Sequence, residues 1–340
     1  MILPTNLYPQ RLRCATKPST PCLNSKTEVL LSRHLSLTVV VLLILLAPIA
    51  HAQKTVTTQF SGQAAYTLTK QLLDVAPKRF NGSPGHAKAE EFLKQHFAPE
   101  AAKGNFIADT FTATTPAGLQ TMTNYIVKYP GKKDGIIVLV SHYETNYPLR
   151  DINFYGANDG AATSALLIEI GTILRAHPPE GYSIWLVFDD GEEAVKTWSN
   201  SDSLYGTRHL AAKWSQDGTL TKIKALLVAD MIADKDLNID YVENSTPWLL
   251  DLLKVAAKNT GHSASIFKYR EAEEDDHLPF AARGVPVLDL IDAHYGPTTD
   301  AMPDGYHHTD KDTIDKISAH SLQISGDIVL EMIRLVNQRP

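Results

Sequence analysis

The sequence predicts an α/β protein, a single-domain three-layer α/β/α sandwich with a mixed, largely parallel central sheet. Three observations carry this expectation. Four segments are continuous apolar runs, the mark of strands buried on both faces. Helical patterns separate these runs, as crossover connections in a parallel sheet require. Each run is followed by acidic residues or histidine, at the sheet edge where such folds bind ligands.

Residues 62–76 and 86–97 carry apolar positions at helical spacing, and the turn Asn81-Gly82-Ser83-Pro84-Gly85 divides them. Two strands are expected near 105–113 and 119–129, ending at Pro130-Gly131. The apolar runs are 135–141, 183–188, 225–229 and 285–291. Helices are expected over 160–175, 204–214, 248–259 and 317–337. No repeat, low-complexity stretch or internal linker interrupts the series.

The chain has 340 residues, 44% hydrophobic and 21% charged, with 19 Gly and 19 Pro. These proportions exclude wholesale disorder, collagen and coiled coil, and the length supports a sizeable core. A formal net charge of −6 argues against nucleic acid as a partner. Residues 1–52 hold five basic residues (Arg11, Arg13, Lys17, Lys26, Arg33) and one acid, Glu28. Removing them from the chain's 32 Lys+Arg and 38 Asp+Glu leaves 27 against 37.

That basic arm runs into an apolar stretch from Leu37 to Ala47 and closes with Ala50-His51-Ala52. The pattern is that of a secretory signal peptide cut after Ala52, leaving 53–340 as the mature domain. The apolar stretch falls short of the roughly 20 residues that cross a bilayer. An uncleaved N-terminal membrane anchor is the alternative. Without one, a secreted or periplasmic protein with no stable membrane association is expected. Gln53 would then be the first mature residue. Both cysteines, Cys14 and Cys22, lie in the leader, so any metal must be held by His, Asp and Glu.

The strand ends supply such residues. His142, Tyr143 and Glu144 follow the first apolar run, and Asp189, Asp190, Gly191, Glu192 and Glu193 follow the second. Asp230 follows the third, and Asp292 and His294 the fourth. Asp159 opens the helix after the first run, and His307, His308 and Asp310 precede the last helix. Taken singly, Asp159 reads as a helix cap, Glu192-Glu193 as a solvated turn and the His pair as surface. Gathered on one sheet edge, so much uncompensated negative charge would be costly unless a divalent cation neutralised it. A sulfur-free mixture of His and carboxylate suits zinc.

Five short motifs resemble the zinc-dependent exopeptidase superfamily of the M28 peptidases. They are His142-Tyr143-Glu144, Gly156-Ala157-Asn158-Asp159, Asp190-Gly191-Glu192-Glu193-Ala194, Ala229-Asp230-Met231-Ile232 and His308-Thr309-Asp310-Lys311-Asp312. Two longer stretches, 198–213 and 274–288, are similar to the animal-type glutaminyl-peptide cyclotransferases. These contain Asp202-Ser203-Leu204-Tyr205-Gly206 and Asp275-Asp276-His277-Leu278-Pro279-Phe280. The resemblance runs from about Arg79 to the C-terminus and implies a zinc-exopeptidase-like fold.

It also implies cyclisation of N-terminal Gln of peptides or proteins to pyroglutamate, an acyl transfer that releases ammonia. Asp159, Glu193 and His308 would hold one zinc, and Glu192 would be the general acid/base. Asp230 and Asp275 would be the paired carboxylates near the substrate amide, and Trp198 a pocket aromatic. The chain departs from the superfamily's His-x-Asp at His142-Tyr143-Glu144. It also has His307 where the animal cyclases have Trp, which alters part of the substrate pocket. A secreted aminopeptidase is the rival reading, with a second zinc on His142 and Asp230; a non-catalytic binding ectodomain is a further one. His209, His262 and His320 are expected on helix surfaces or at caps. Tyr205 and Arg208 are expected to pack or pair within their motif. Glu271-Ala272-Glu273-Glu274 is expected as a solvated turn near the mouth of the site.

Overall fold

The computed structural model describes residues 56, 58–300 and 302–339, so the leader expected over 1–52 lies outside them. No helix among the described residues is long and apolar enough to cross a membrane.

The main sheet is built from β1 (Phe106–Thr115), β2 (Gly118–Tyr129), β3 (Lys133–His142), β4 (Tyr182–Asp189), β5 (Ile223–Asp230) and β8 (Val287–Ile291). Its spatial order is β1-β2-β4-β3-β5-β8. β1 and β2 form an antiparallel hairpin, and β2 runs antiparallel to β4. From β4 through β3 and β5 to β8 the pairing is parallel. All six strands are those expected from the sequence. β3 is followed by β4 on one side and β5 on the other, which opens a crevice at its carboxyl end.

Side-chain alternation decides the layers. In β3, Ile137 and Leu139 face one core while Ile136, Val138 and Val140 face the other. In β5, Ala225, Leu227 and Ala229 oppose Leu226 and Val228 in the same way. The thicker layer holds α1 (Gly62–Val75), α2 (Pro84–His96), α3 (Thr163–Ala176), α5 (Pro247–Thr260) and α6 (Ala319–Gln338). The thinner layer holds α4 (Tyr205–Gln216), through Leu210, Ala211 and Trp214, and the single turn Leu278–Ala281, through Phe280.

Helix starts follow local chemistry. Ser61, Ser83 and Ser318 each accept a first-turn N–H, from Ala64, His86 and Ser321, and Pro84 opens α2 where its missing N–H costs nothing.

Two features differ from the sequence expectation. β6 (Ile239–Val242) and β7 (Ile266–Glu271) form a separate parallel pair. They are short, and the charge-bearing β7 lacks an apolar run, so neither gives a periodic signal. The helix expected from Gly160 starts at Thr163, because Ala157–Ala162 is a wide turn with Asp159 and Gly160 off helical geometry. Gly160 has φ 88°, and a Cβ there would meet His142 Cε1 at 2.8 Å.

Arg79, fully buried, ties this turn to the sheet. Its Nε donates to the Tyr143 carbonyl at 2.9 Å, and its Nη atoms donate to Tyr155 at 2.9 Å and Gly156 at 3.0 Å. Burial pulls its pKa down to about 10 against the pull of Asp159 and Asp312. Arg79→Met should leave those carbonyls without donors and destabilise the fold by on the order of 3 kcal/mol. Equilibrium denaturation checks this, and an unchanged midpoint would refute the role given to Arg79.

Candidate metal and acid–base site

Side chains from three loops converge at the carboxyl edge of the parallel strands. His308 Nε2 lies 3.0 Å from Glu193 Oε1 and 3.5 Å from Asp159 Oδ2. The two carboxylates are held from behind. The Asp312 carboxylate accepts the backbone N–H of Asn158 at 2.8 Å and of Asp159 at 3.1 Å, and the Tyr295 hydroxyl at 2.7 Å. Asn158 binds the Met231 carbonyl and the Ala233 N–H, joining this turn to the end of β5. Asn146 donates to Glu193 Oε2 at 2.6 Å, and Glu144 Oε1 accepts the Glu193 N–H at 3.2 Å. His308 (φ 53°) and Met231 (φ 50°) both sit in the left-handed region, local strain that the surrounding bonds sustain.

The trio fits a zinc-class ion. The spacings of 3.0 and 3.5 Å bracket the roughly 3.3 Å edge of a tetrahedron with metal–ligand bonds of about 2.0–2.1 Å. Asp159 Oδ2 is buried without a hydrogen-bond donor. Burial would raise the Asp159 carboxyl, but His142 outweighs it and holds the group below its usual range. Burial lowers His308 while Glu193 and Asp159 raise it, to about 9. Two carboxylates and one imidazole leave a fourth position for water or substrate.

Glu192 is buried next to this trio, and no side-chain or backbone donor among the described residues bonds its carboxylate. Burial first, then the neighbouring Glu193, pushes its pKa well above the usual range. It faces a cavity of about 610 Å³ lined also by Trp198, Asp230, Asp275, His307 and His308. Trp198 Nε1 donates to Glu274 Oε2 at 2.9 Å, and the His307 ring tilts against His308 with centroids 3.8 Å apart. Burial, then the adjacent His308, lowers the His307 pKa. Burial raises Asp230, and burial with the Asp230 charge lifts Asp275 to about 6. Behind Asp275 lies Asp289, inside β8 with neither oxygen bonded to a donor, and pushed well up by burial and Asp275.

The second-metal set also comes together. His142 Nε2 is 3.0 Å from Asp159 Oδ1 and 3.4 Å from Asp230 Oδ1. Glu144, the longer carboxylate in His142-Tyr143-Glu144, stays 3.8 Å from His142 Nδ1, and its carboxyl is pushed by burial up to about 7. It serves the Glu193 backbone instead.

Other strand-end residues separate from the site. Asp310 is exposed and pairs with Lys311, while Asp312, two residues on, does the buried work. Asp292 accepts the Asn238 N–H at 2.9 Å, and His294 turns toward Asp240 and Glu271. Glu271-Ala272-Glu273-Glu274 lines the cavity, with Ala272 and Glu274 exposed and Glu271 and Glu273 half-buried; burial raises Glu273 to about 7. His209 and His262 pair with Asp109 and Asp327, and His320 is exposed. Tyr205 bonds Asp202 and Arg208 bonds the carbonyl of Asn200, within their motif. Sequence reading missed Asn146, Asp289, Asp312 and His86. Of these, only Asp312 sat inside a quoted motif.

Residues 124–333 match the family model "Peptidase family M28". The glutaminyl-peptide cyclotransferase of Bos taurus is 30% identical over 290 residues, 76% of this chain and 79% of that protein. A solved glutaminyl cyclase from an Acidobacteriales bacterium is 73% identical at a TM-score of 0.83, covering 86% of this chain and 100% of that one. A Zn-dependent exopeptidase from Parabacteroides distasonis shares the fold, with TM-score 0.70, 21% identity, and coverage of 84% of this chain and 100% of that one.

The loop that carries Glu192 and Glu193 is anchored by Asp190. Its Oδ1 lies 2.9 Å from His86 Nε2, and its Oδ2 accepts the Thr123 N–H at 2.6 Å. Burial lowers the His86 pKa, but Asp190 outweighs it and holds it above 6.5. A histidine with a raised folded pKa adds stability that is complete below the unfolded value and fades as pH rises through the folded one. His86→Gln should therefore cost more stability at about pH 6 than at about pH 9. Denaturant midpoints at the two pH values check this; equal costs would reduce His86 to a packing role.

Proposed function

The chain belongs to peptidase family M28, among the glutaminyl-peptide cyclotransferases, and from that membership we propose how its own residues cyclise N-terminal glutamine to pyroglutamate. The substrate is the N-terminus of a peptide or protein. The α-amine nitrogen attacks the γ-carboxamide carbon, the old carbon–nitrogen bond breaks, and ammonia leaves. Asp159, Glu193 and His308 would hold one Zn²⁺, which when bound supplies Lewis acidity toward the γ-carbonyl. Glu192 takes the proton from the attacking amine and returns it to the departing nitrogen. Burial and the neighbouring Glu193 raise its pKa, the direction in which a carboxylate becomes a better proton acceptor.

Asp230 and Asp275 accept hydrogen bonds from the substrate's nitrogens. Burial and the nearby charge of Asp230 lift the Asp275 carboxyl to about 6, and burial with Asp275 raises Asp289 behind it. Trp198 and His307 form apolar and aromatic wall, restricting water that would otherwise hydrolyse the amide.

The observation that carries this reading is the adjacency of Glu192 and Glu193. One turns to the metal-fitting trio while the other stays without a donor in the same cavity. A second reading, a two-zinc aminopeptidase, draws on the convergence of His142, Asp159 and Asp230. The leader over 1–52 is proposed as a cleaved export signal, making 53–340 one secreted or periplasmic domain.

Two outcomes test the reaction. Incubated with a Gln-initiated peptide, the enzyme should remove one ammonia with chain length intact, and a chelator should abolish the mass change. Loss of the whole N-terminal residue would instead establish the aminopeptidase. Glu192→Gln should lower turnover by about 100- to 10,000-fold while fold and metal content persist. Turnover near wild type would remove Glu192 from the acid/base role.

A further inference from the structure

A further cluster of metal-competent donors reaches the cavity wall and shares no residue with the trio. Asp240 in β6, Glu271 at the end of β7 and His294 after β8 bring one ligand atom each within 4.8 Å of one another. His294 Nδ1 is 3.2 Å from Asp240 Oδ2 and 3.3 Å from Glu271 Oε1. The His294 ring stacks on Tyr269 at 3.6 Å and 14°, which fixes the plane in which Nδ1 points. Asp240 is fully buried. Its Oδ2 also accepts the Ala293 N–H at 3.1 Å, while its Oδ1 has no donor at all.

Hydrogen bonding leaves this cluster incomplete. Nδ1 carries at most one proton and can satisfy only one of the two carboxylates it faces. It bonds Asp240, and Glu271 Oε1 stays buried without a partner. No Lys or Arg among the described residues pairs with either carboxylate; Arg270, next in the chain, pairs with Glu243. Two buried acceptors without donors, beside a fixed imidazole, are costly unless a cation serves all three. The distances of 3.2 and 3.3 Å match the roughly 3.3 Å edge of a zinc tetrahedron.

We propose that Asp240, Glu271 and His294 form a separate site for a zinc-class divalent cation, completed by water. The bound ion would clamp the end of β7 to the loop after β8. That clamp fixes the start of the segment carrying Glu274, the partner of Trp198, and Asp275. The proposal rests on this cluster's own geometry and not on the cyclase reading.

The test is metal content after equilibrium dialysis of the protein against excess Zn²⁺, with folding checked by circular dichroism. His294→Ala and Glu271→Gln should each bind one equivalent fewer than wild type. Asp159→Asn, which removes a ligand of the trio, should lose a different equivalent, so Asp159→Asn/His294→Ala should lose two. Should His294→Ala fail to fold, Glu271→Gln carries the test, because it preserves shape and hydrogen-bonding capacity. Unchanged zinc content in the folded variants overturns the proposal. An unchanged content in Asp159→Asn alone would instead count against the catalytic trio.

Discussion

Burying carboxylates at the carboxyl edge of β3, β4, β5 and β8 imposes a constraint that the surrounding structure answers residue by residue, because an unpaired buried charge is far more costly than any one contact is favourable. Asp190 is answered by His86 and a backbone N–H, and Asp312 by two N–H groups and the Tyr295 hydroxyl. Asp275 and Asp289 are answered less fully: burial and their neighbouring charges push both carboxyls upward, and His277 Nδ1 stands 3.4 Å from Asp289 Oδ2. Asp159 and Glu193 have only histidine imidazoles and, for Glu193, an amide donor. That shortfall in positive charge is what makes the trio fit a cation.

The fold brings these groups together through its topology. Because β3 is central and its two successors lie on opposite sides, loops after three parallel strands open onto one crevice. The last loop before α6 then reaches back, placing Asp312 under the Asp159 turn and His308 above it. The cost appears as left-handed backbone at Met231 and His308 and as a turn that only glycine at 160 allows. Arg79 offsets part of it by binding the carbonyls of Tyr143 just after the end of β3 and of Gly156 just before that turn.

The cavity wall follows from a different part of the chain. The small β6–β7 pair carries the acidic segment after Glu271 to the mouth, where Glu274 orients the Trp198 indole. Charge and shape there are coupled, since the residues that line the wall also hold its loops in register.

The order of strands and helices, the two-sided burial of the parallel strands and the Glu192-Glu193 adjacency were determined by the sequence alone. Each depends on residues one to four positions apart, neighbours that the linear sequence records directly. The motif residues Asp159, Glu193, His308, Asp230 and Asp275 were legible because each lies next to such a pattern or inside a recognisable stretch. Which carboxylates meet was a tertiary matter. Asp312 rather than Asp310 supports Asp159, His294 leaves the main cluster for Asp240, and Asp289 reaches Asp275 from within a strand that reads as plain core. These pairings join residues 14 to 153 positions apart; their distances depend on loop dihedrals and long-range hydrogen bonds, which local periodicity does not encode.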